Sequence, residues 1–147
     1  MHIPTVLPAL REIHTGEPFP EAAWKDAWIL LFFFNKDCLG CIGRGLPLAR
    51  YFQRIYPEVK VAGIHANFPS ATYSDSDLRE LYEAQRLNFP VYQDEGAVAY
   101  KAFEAEGTPH WVFIGPGGEW LNSVFGSQEN AQNRVYYQLA EVFGERG

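Results

Sequence analysis

Apolar positions along the chain change period several times, and each change marks an element. Trp28 to Phe34 is an unbroken apolar run closed by Asn35-Lys36-Asp37, short and aromatic, which is the pattern of a strand covered on both faces in a parallel α/β sheet. From Cys41 to Tyr56 the period becomes helical, with Leu48, Phe52 and Ile55 on one face and Pro57 as the stop. Pro47 inside that stretch predicts a kink or a late start of regular helix. Val59 to Ile64 reads as the next strand, giving a right-handed β-α-β unit with parallel strands, and His65-Ala66-Asn67 leads out of it. Ser74 or Asp75 caps a helix that buries Leu78, Leu81, Tyr82 and Leu87. Phe89 to Tyr92 follows as a short strand, and Glu95 to Phe103 as a short helix stopped by Gly107. Trp111 to Ile114, the turn Gly115-Pro116-Gly117-Gly118 and Trp120 to Phe125 form an antiparallel hairpin. A last helix starts at Gln128 or Glu129 and turns Val135, Leu139, Val142 and Phe143 inward. Residues 1–27, with Pro4, Pro8, Pro18 and Pro20, read as an irregular lead-in with a helical turn near Glu21 to Asp26. The sum is an α/β sandwich, a central mixed sheet flanked by helices.

Composition narrows what this fold can serve. A chain of 147 residues with 47% hydrophobic content suits one domain, residues 1–147, and leaves no room for a second. The formal charge of −6, from 18 acidic against 12 basic side chains with no run of Lys or Arg, argues against a nucleic-acid partner. The apolar run at Trp28 is far shorter than the roughly 20 residues a bilayer requires, so no membrane span is expected. The start MHIPTVLPALREIH has no cationic region followed by an apolar core and a cleavage site, so the expected location is the cytoplasm. A trimmed chain from the periplasm or another extracytoplasmic space would read the same. No GxGxxG or phosphate loop is present, so no cofactor is expected, and the chain is expected to be a monomer.

The chemistry concentrates at Cys38-Leu39-Gly40-Cys41, directly after the first strand and at the opening of the first long helix. Two cysteines three residues apart close too small a loop to staple a fold, and in this position the pair reads as a redox site. Helix-start N–H groups and the positive end of the dipole favour a thiolate, which makes Cys38 the exposed nucleophile. Cys41, one turn on, lies at about 5–6 Å between Cα atoms, close enough to form a disulfide and so to resolve a mixed disulfide on Cys38.

The order of strand, CxxC, helix with an early proline, strand, inserted segment, and then EGTPHWVFIGPGGEW resembles the thioredoxin-like superfamily, nearest its TlpA/ResA-type thiol-disulfide oxidoreductases. The resemblance covers roughly Trp28 to Phe143. It implies a three-layer thioredoxin-like sandwich, a cis peptide bond at Thr108-Pro109, and a substrate groove beside the sulfurs formed by Thr108, Pro109, His110 and Trp111. It also implies protein substrates carrying disulfides or thiols, and a redox partner that resets the pair. Three positions depart from the family pattern. Asp37 stands where tryptophan usually precedes the first cysteine. Leu39-Gly40 lacks the usual proline between the cysteines, and the strand Trp28 to Phe34 lacks the usual buried acid. Asp37, Leu39 and Gly40 are therefore the residues expected to tune the couple.

Other assignments have less behind them. His110 could approach Cys38 as a proton acceptor, although shaping the groove is the simpler role. A zinc site of Cys38, Cys41, His65 and His110 has the right donor types but no support from spacing, and no metal is expected. A peroxiredoxin-like thiol peroxidase would need Thr three residues before Cys38, where this chain has Asn35. A thioredoxin-fold peptide-binding module without turnover would use the Thr108, Pro109 and Trp111 groove alone.

Overall fold

The computed structural model describes residues 9–147, so Pro4 and Pro8 of the lead-in lie outside the described residues. In chain order the elements are β1 (Arg11–Glu12), α1 (Glu21–Trp24), β2 (Trp28–Phe34), a π-helical segment (Cys41–Gly45) that runs into α2 (Leu46–Ile55), β3 (Val59–Asn67), α3 (Asp75–Gln85), β4 (Val91–Glu95), α4 (Val98–Ala102), β5 (His110–Ile114), β6 (Trp120–Phe125) and α5 (Glu129–Phe143). The strands form one mixed sheet in the order β1-β4-β3-β2-β5-β6. β2, β3 and β4 are parallel, while β1, β5 and β6 each run antiparallel to a neighbour. β2 lies between β3 and β5, covered on both faces, which is why it tolerates no polar position from Ile29 to Phe34.

Alternation along the strands divides the interior into two layers. On one face Leu30, Phe32, Phe34, Val59, Val61, Trp111 and Phe113 pack against Leu46, Leu48 and Phe52 of α2, Leu78 of α3, and Val135 and Leu139 of α5. On the other, Ile29, Leu31, Phe33, Ala62, Ile64, Val112 and Ile114 pack against Leu10, Phe19, Trp24 of α1, Ala99 of α4 and Phe103. Each fully buried Leu, Ile or Phe contributes about 1.5–3 kcal/mol relative to exposure, so these layers are the main cohesive term. α3 is fixed at its start by a capping box, in which Ser74 Oγ accepts the Asp77 N–H and the Asp77 carboxylate accepts the Ser74 N–H, both at 3.1 Å.

The structure extends or moves several elements read from the sequence. β1 is two residues long, too short to carry a period, and pairs with β4 at Arg11↔Gln93. β3 continues through His65-Ala66-Asn67, and β4 through Gln93-Asp94-Glu95, pairing His65↔Gln93 and Asn67↔Glu95. His65-Ala66-Asn67 reads as an exit, and Glu95 as a helix start, because polar side chains interrupt the apolar pattern there. They are strand because their polar groups are satisfied inside the fold, and α4 consequently starts at Val98 rather than Glu95. The Asp94 carboxylate accepts the N–H groups of Ala99 and Tyr100 at 2.9 Å each and so closes the start of α4. Regular α-geometry begins late, in keeping with the proline: helical backbone starts at Leu39, and Pro47 falls where the π-helical segment gives way to α2.

Candidate active site

Asn35 follows the last residue of β2 and is buried. Its Nδ2 donates to the carbonyls of Ala66 at 2.8 Å and Ala71 at 2.9 Å, and its Oδ1 accepts the Asp37 N–H at 2.9 Å. One side chain thus ties the turn before Cys38 to β3 and to the β3–α3 loop. The next residue is held from below. The Lys36 N–H donates to His65 Nε2 at 3.2 Å, which places the imidazole proton on Nδ1, and Nδ1 donates to Gln93 Oε1 at 2.8 Å. Burial pushes the His65 pKa down, against an upward pull from Gln93, so the ring is neutral at physiological pH. Gln93 Nε2 in turn donates to the Tyr73 carbonyl at 2.9 Å and to Asp75 Oδ1 at 3.2 Å.

On this platform Cys38 occupies the N-cap position of the helix. Its carbonyl accepts the N–H groups of Cys41 and Ile42 at 3.1 Å each, and its Sγ accepts the Cys41 N–H at 3.2 Å. The same Sγ lies 3.3 Å from the Thr108 carbonyl oxygen. Cys38 and Cys41 are joined as a disulfide with their Cα atoms 5.2 Å apart. Cys38 is half-buried, whereas Cys41 is fully buried against the apolar layer under α2. The two sulfurs are therefore unequal: only Cys38 faces outward, and only Cys38 has a backbone N–H directed at it as a charge-stabilising donor.

The far wall comes from the β5 and β6 ends. The Thr108-Pro109 peptide bond is cis, Thr108 is half-exposed, Pro109 is buried, and the Pro109 carbonyl accepts the Gly126 N–H at 2.9 Å. Gly40 closes onto this wall. A Cβ there would come within 2.9 Å of Ser127 Oγ and 3.9 Å of Pro109 Cδ, so the glycine between the cysteines permits close approach to Ser127. Leu39 projects outward at 89% exposure beside the disulfide, and Asp37 is exposed on the other side of Cys38.

The residues read from the sequence fall into two groups. Asp37, Cys38, Leu39, Gly40, Cys41, Thr108 and Pro109 converge. His110 and Trp111 are buried and point to opposite faces of the sheet, away from the exposed surface at Cys38. Trp111 is buried on the α2 face, its ring 4.4 Å from that of Phe32 between centroids, with Nε1 donating to the Gly126 carbonyl at 2.9 Å. His110, next along the strand, points to the opposite face with Nε2 at 3.3 Å from Ser123 Oγ. Among the described residues its buried Nδ1 has no hydrogen-bond partner. With His65 fully engaged and His110 across the sheet, the four donors considered for zinc are not assembled. Asn35, Tyr73 and Ser127 complete the site and were not foreseen as parts of it, since they arrive from remote loops without a spacing signal.

No family model matches the chain. Among solved structures, a thiol-disulfide isomerase from Corynebacterium glutamicum superposes with a TM-score of 0.78 at 21% identity, over 92% of each chain. The fold is thioredoxin-like. A second structure, a thioredoxin-like superfamily protein, matches with a TM-score of 0.76 at 24% identity over 100% of this chain and 99% of its own. By sequence, NHL repeat-containing protein 2 of Bos taurus is 26% identical over 153 residues, which is 99% of this chain and 20% of that protein. The chain thus spans about a fifth of the length of the curated relatives it matches. In this thioredoxin-like frame the disulfide sits past the carboxyl end of β2, where parallel strands commonly present ligand sites. No helix among the described residues is long and apolar enough to cross a membrane.

Proposed function

We propose that this chain is a thiol-disulfide oxidoreductase acting on protein substrates through Cys38 and Cys41. The observation that carries the reading is the inequality of the two sulfurs, a half-exposed Cys38 capping a helix and a buried Cys41 bonded to it. In the reducing direction the Cys38 thiolate attacks one sulfur of a substrate disulfide, forming a mixed disulfide and releasing one substrate thiolate, which takes a proton from solvent. Cys41, deprotonated, then attacks the Cys38 sulfur, releases the second substrate thiolate and leaves the Cys38–Cys41 disulfide. Two electrons have passed to the substrate, and a dithiol redox partner returns two to reset the pair. The same steps in reverse oxidise a substrate dithiol.

Thr108 and Pro109 are assigned to substrate binding. An extended substrate chain lies against the half-exposed Thr108 backbone beside Cys38, as an added strand would. Trp111 backs the Thr108-Pro109 wall from the α2 face, whereas His110 faces the other side of the sheet and acts only through the strand they share. Asp37, Leu39 and Gly40 set the reactivity of Cys38 and the face it offers. Against a peroxidase, the site of the peroxide-binding threonine is held by Asn35, whose Nδ2 is committed to two carbonyls. Cys38→Ser is expected to abolish disulfide turnover, whereas Cys41→Ser accumulates a mixed disulfide visible by mass. Full turnover by Cys38→Ser rules the mechanism out.

A further inference from the structure

Beside the nucleophile stands a cluster that the mechanism above leaves unused. The Tyr73 hydroxyl donates to Asp37 Oδ1, and Lys36 Nζ lies 5.0 Å from the centroid of the Tyr73 ring. Tyr73 itself is not free to drift. Its N–H donates to Asn67 Oδ1 at 2.8 Å, its carbonyl accepts Gln93 Nε2 at 2.9 Å, and its ring meets His65 edge-on with centroids 6.0 Å apart. A tyrosine fixed at its backbone by β3 and β4 therefore reaches across to the residue immediately before Cys38.

Resting on the assignment of Cys38 as the nucleophile, we propose that Tyr73 is a positioning residue that tethers the Asp37 carboxylate and so keeps its charge from opposing the Cys38 thiolate. A carboxylate next to a thiolate disfavours ionisation of the thiol. A phenol that donates to that carboxylate draws its charge toward the β3–α3 loop and removes its freedom to swing over the sulfur. The charged groups around the pair act in known directions. Lys36, on the same turn, faces the Tyr73 ring and offsets Asp37. Asp77, from α3, adds a weaker negative field on Tyr73, and His65, beneath the ring, is neutral. The hydrogen bond to Asp37 is the main cause that raises the Tyr73 pKa, so the phenol keeps its proton and the tether persists through neutral pH. This gives a use to the departure at Asp37: the acid before the CxxC comes with a partner that governs it.

The test is the pH dependence of Cys38 alkylation by iodoacetamide in the reduced full chain, resolved from Cys41 by peptide mass. It compares the wild type, Tyr73→Phe, Asp37→Asn and the double variant, with heat denaturation as a check on folding. Tyr73→Phe keeps the ring against His65 and Lys36 but frees the carboxylate. The Cys38 midpoint is expected to rise, with the thiolate fraction at neutral pH falling about threefold, the scale of one unit charge moving several ångströms closer in a solvated site. Asp37→Asn is expected to leave the midpoint at or below the wild-type value, and the double variant to match Asp37→Asn alone. A Tyr73→Phe midpoint unchanged from wild type, or shifted equally in the Asp37→Asn background, overturns the tether while leaving the Cys38 assignment intact. A midpoint for Asp37→Asn above that of wild type overturns it without recourse to the tyrosine variant, because the carboxylate would then favour the thiolate. A wild-type Cys38 with no titrating reactivity overturns the tether and the proposed function together.

Discussion

At His110 the parity of one strand decides what a side chain can do. Pairing of Phe33 with His110 and of Phe32 with Trp111 sends the imidazole to one face of the sheet and the indole to the other. The chain order TPHW gives no indication of which residue faces the CxxC helix, because that depends on a register set by β2. The cysteines were legible, since their chemistry needs only their spacing and the helix that follows. Burial lowers the His110 pKa from its ordinary value, as it does for His65. For a histidine with a folded pKa below its unfolded value near 6.5, stability is complete above about pH 6.5 and is lost as the pH falls toward the folded value, because the unfolded chain then binds more protons. Each pKa unit of lowering corresponds to about 1.4 kcal/mol once both states are protonated. His110→Leu removes a buried nitrogen without a partner, and Ser123 Oγ keeps Trp120 Nε1 as a donor at 3.3 Å. Urea unfolding is therefore expected to place His110→Leu close to wild type at pH 7.5, with a smaller loss at pH 5. An equal loss in both proteins refutes this account of the ring.

The helix that carries the site shows how packing overrides local preference. Gly43 and Gly45 stand early in this helix, where a glycine costs about 1 kcal/mol of stability relative to alanine. The structure separates them. A Cβ on Gly43 meets nothing within 4 Å, whereas one on Gly45 would stand 2.6 Å from Phe32 Cζ. Phe32 is enclosed by Trp111 and Phe34 and cannot yield. The π-helical segment from Cys41 to Gly45 thus sits on the sheet at a distance only glycine permits, with Cys41 held in the core. Gly45→Ala is expected to destabilise by about 1–3 kcal/mol through overpacking, while Gly43→Ala is neutral or stabilising by up to about 1 kcal/mol. Thermal midpoints of the two variants decide this, and a stable Gly45→Ala contradicts it. Elements with strong periods, β2, α2, α3 and α5, were readable to within a few residues. The carboxyl ends of β3 and β4 were not, because a buried network of His65, Gln93 and Asp94 replaces apolar patterning there.

Across the whole molecule, residues from the first described strand to the loop after β6 converge on one short turn. Arg11 on β1 pairs with Asp75 at 3.0 Å, Asp75 and Tyr73 are held by Gln93, and Gln93 orients the histidine that receives the Lys36 N–H. From the other side, Ser127 and the Thr108-Pro109 turn close onto Gly40 and Cys38. The sheet order that makes this possible was read as a class, mixed and flanked by helices, but the edge strand β1 was missed because two residues carry no pattern. The thioredoxin-like frame thus surrounds one pair of sulfurs with a preformed, unequal environment, and the proposed function requires that this pair cycle. The most direct measurement is equilibration of the full chain in graded thiol/disulfide buffers, with the Cys38–Cys41 disulfide quantified by alkylation and mass. A single transition with two-electron steepness, about 30 mV per tenfold change in the ratio, is expected, together with its absence in Cys38→Ser. A chain that forms no Cys38–Cys41 disulfide at any buffer potential contradicts it.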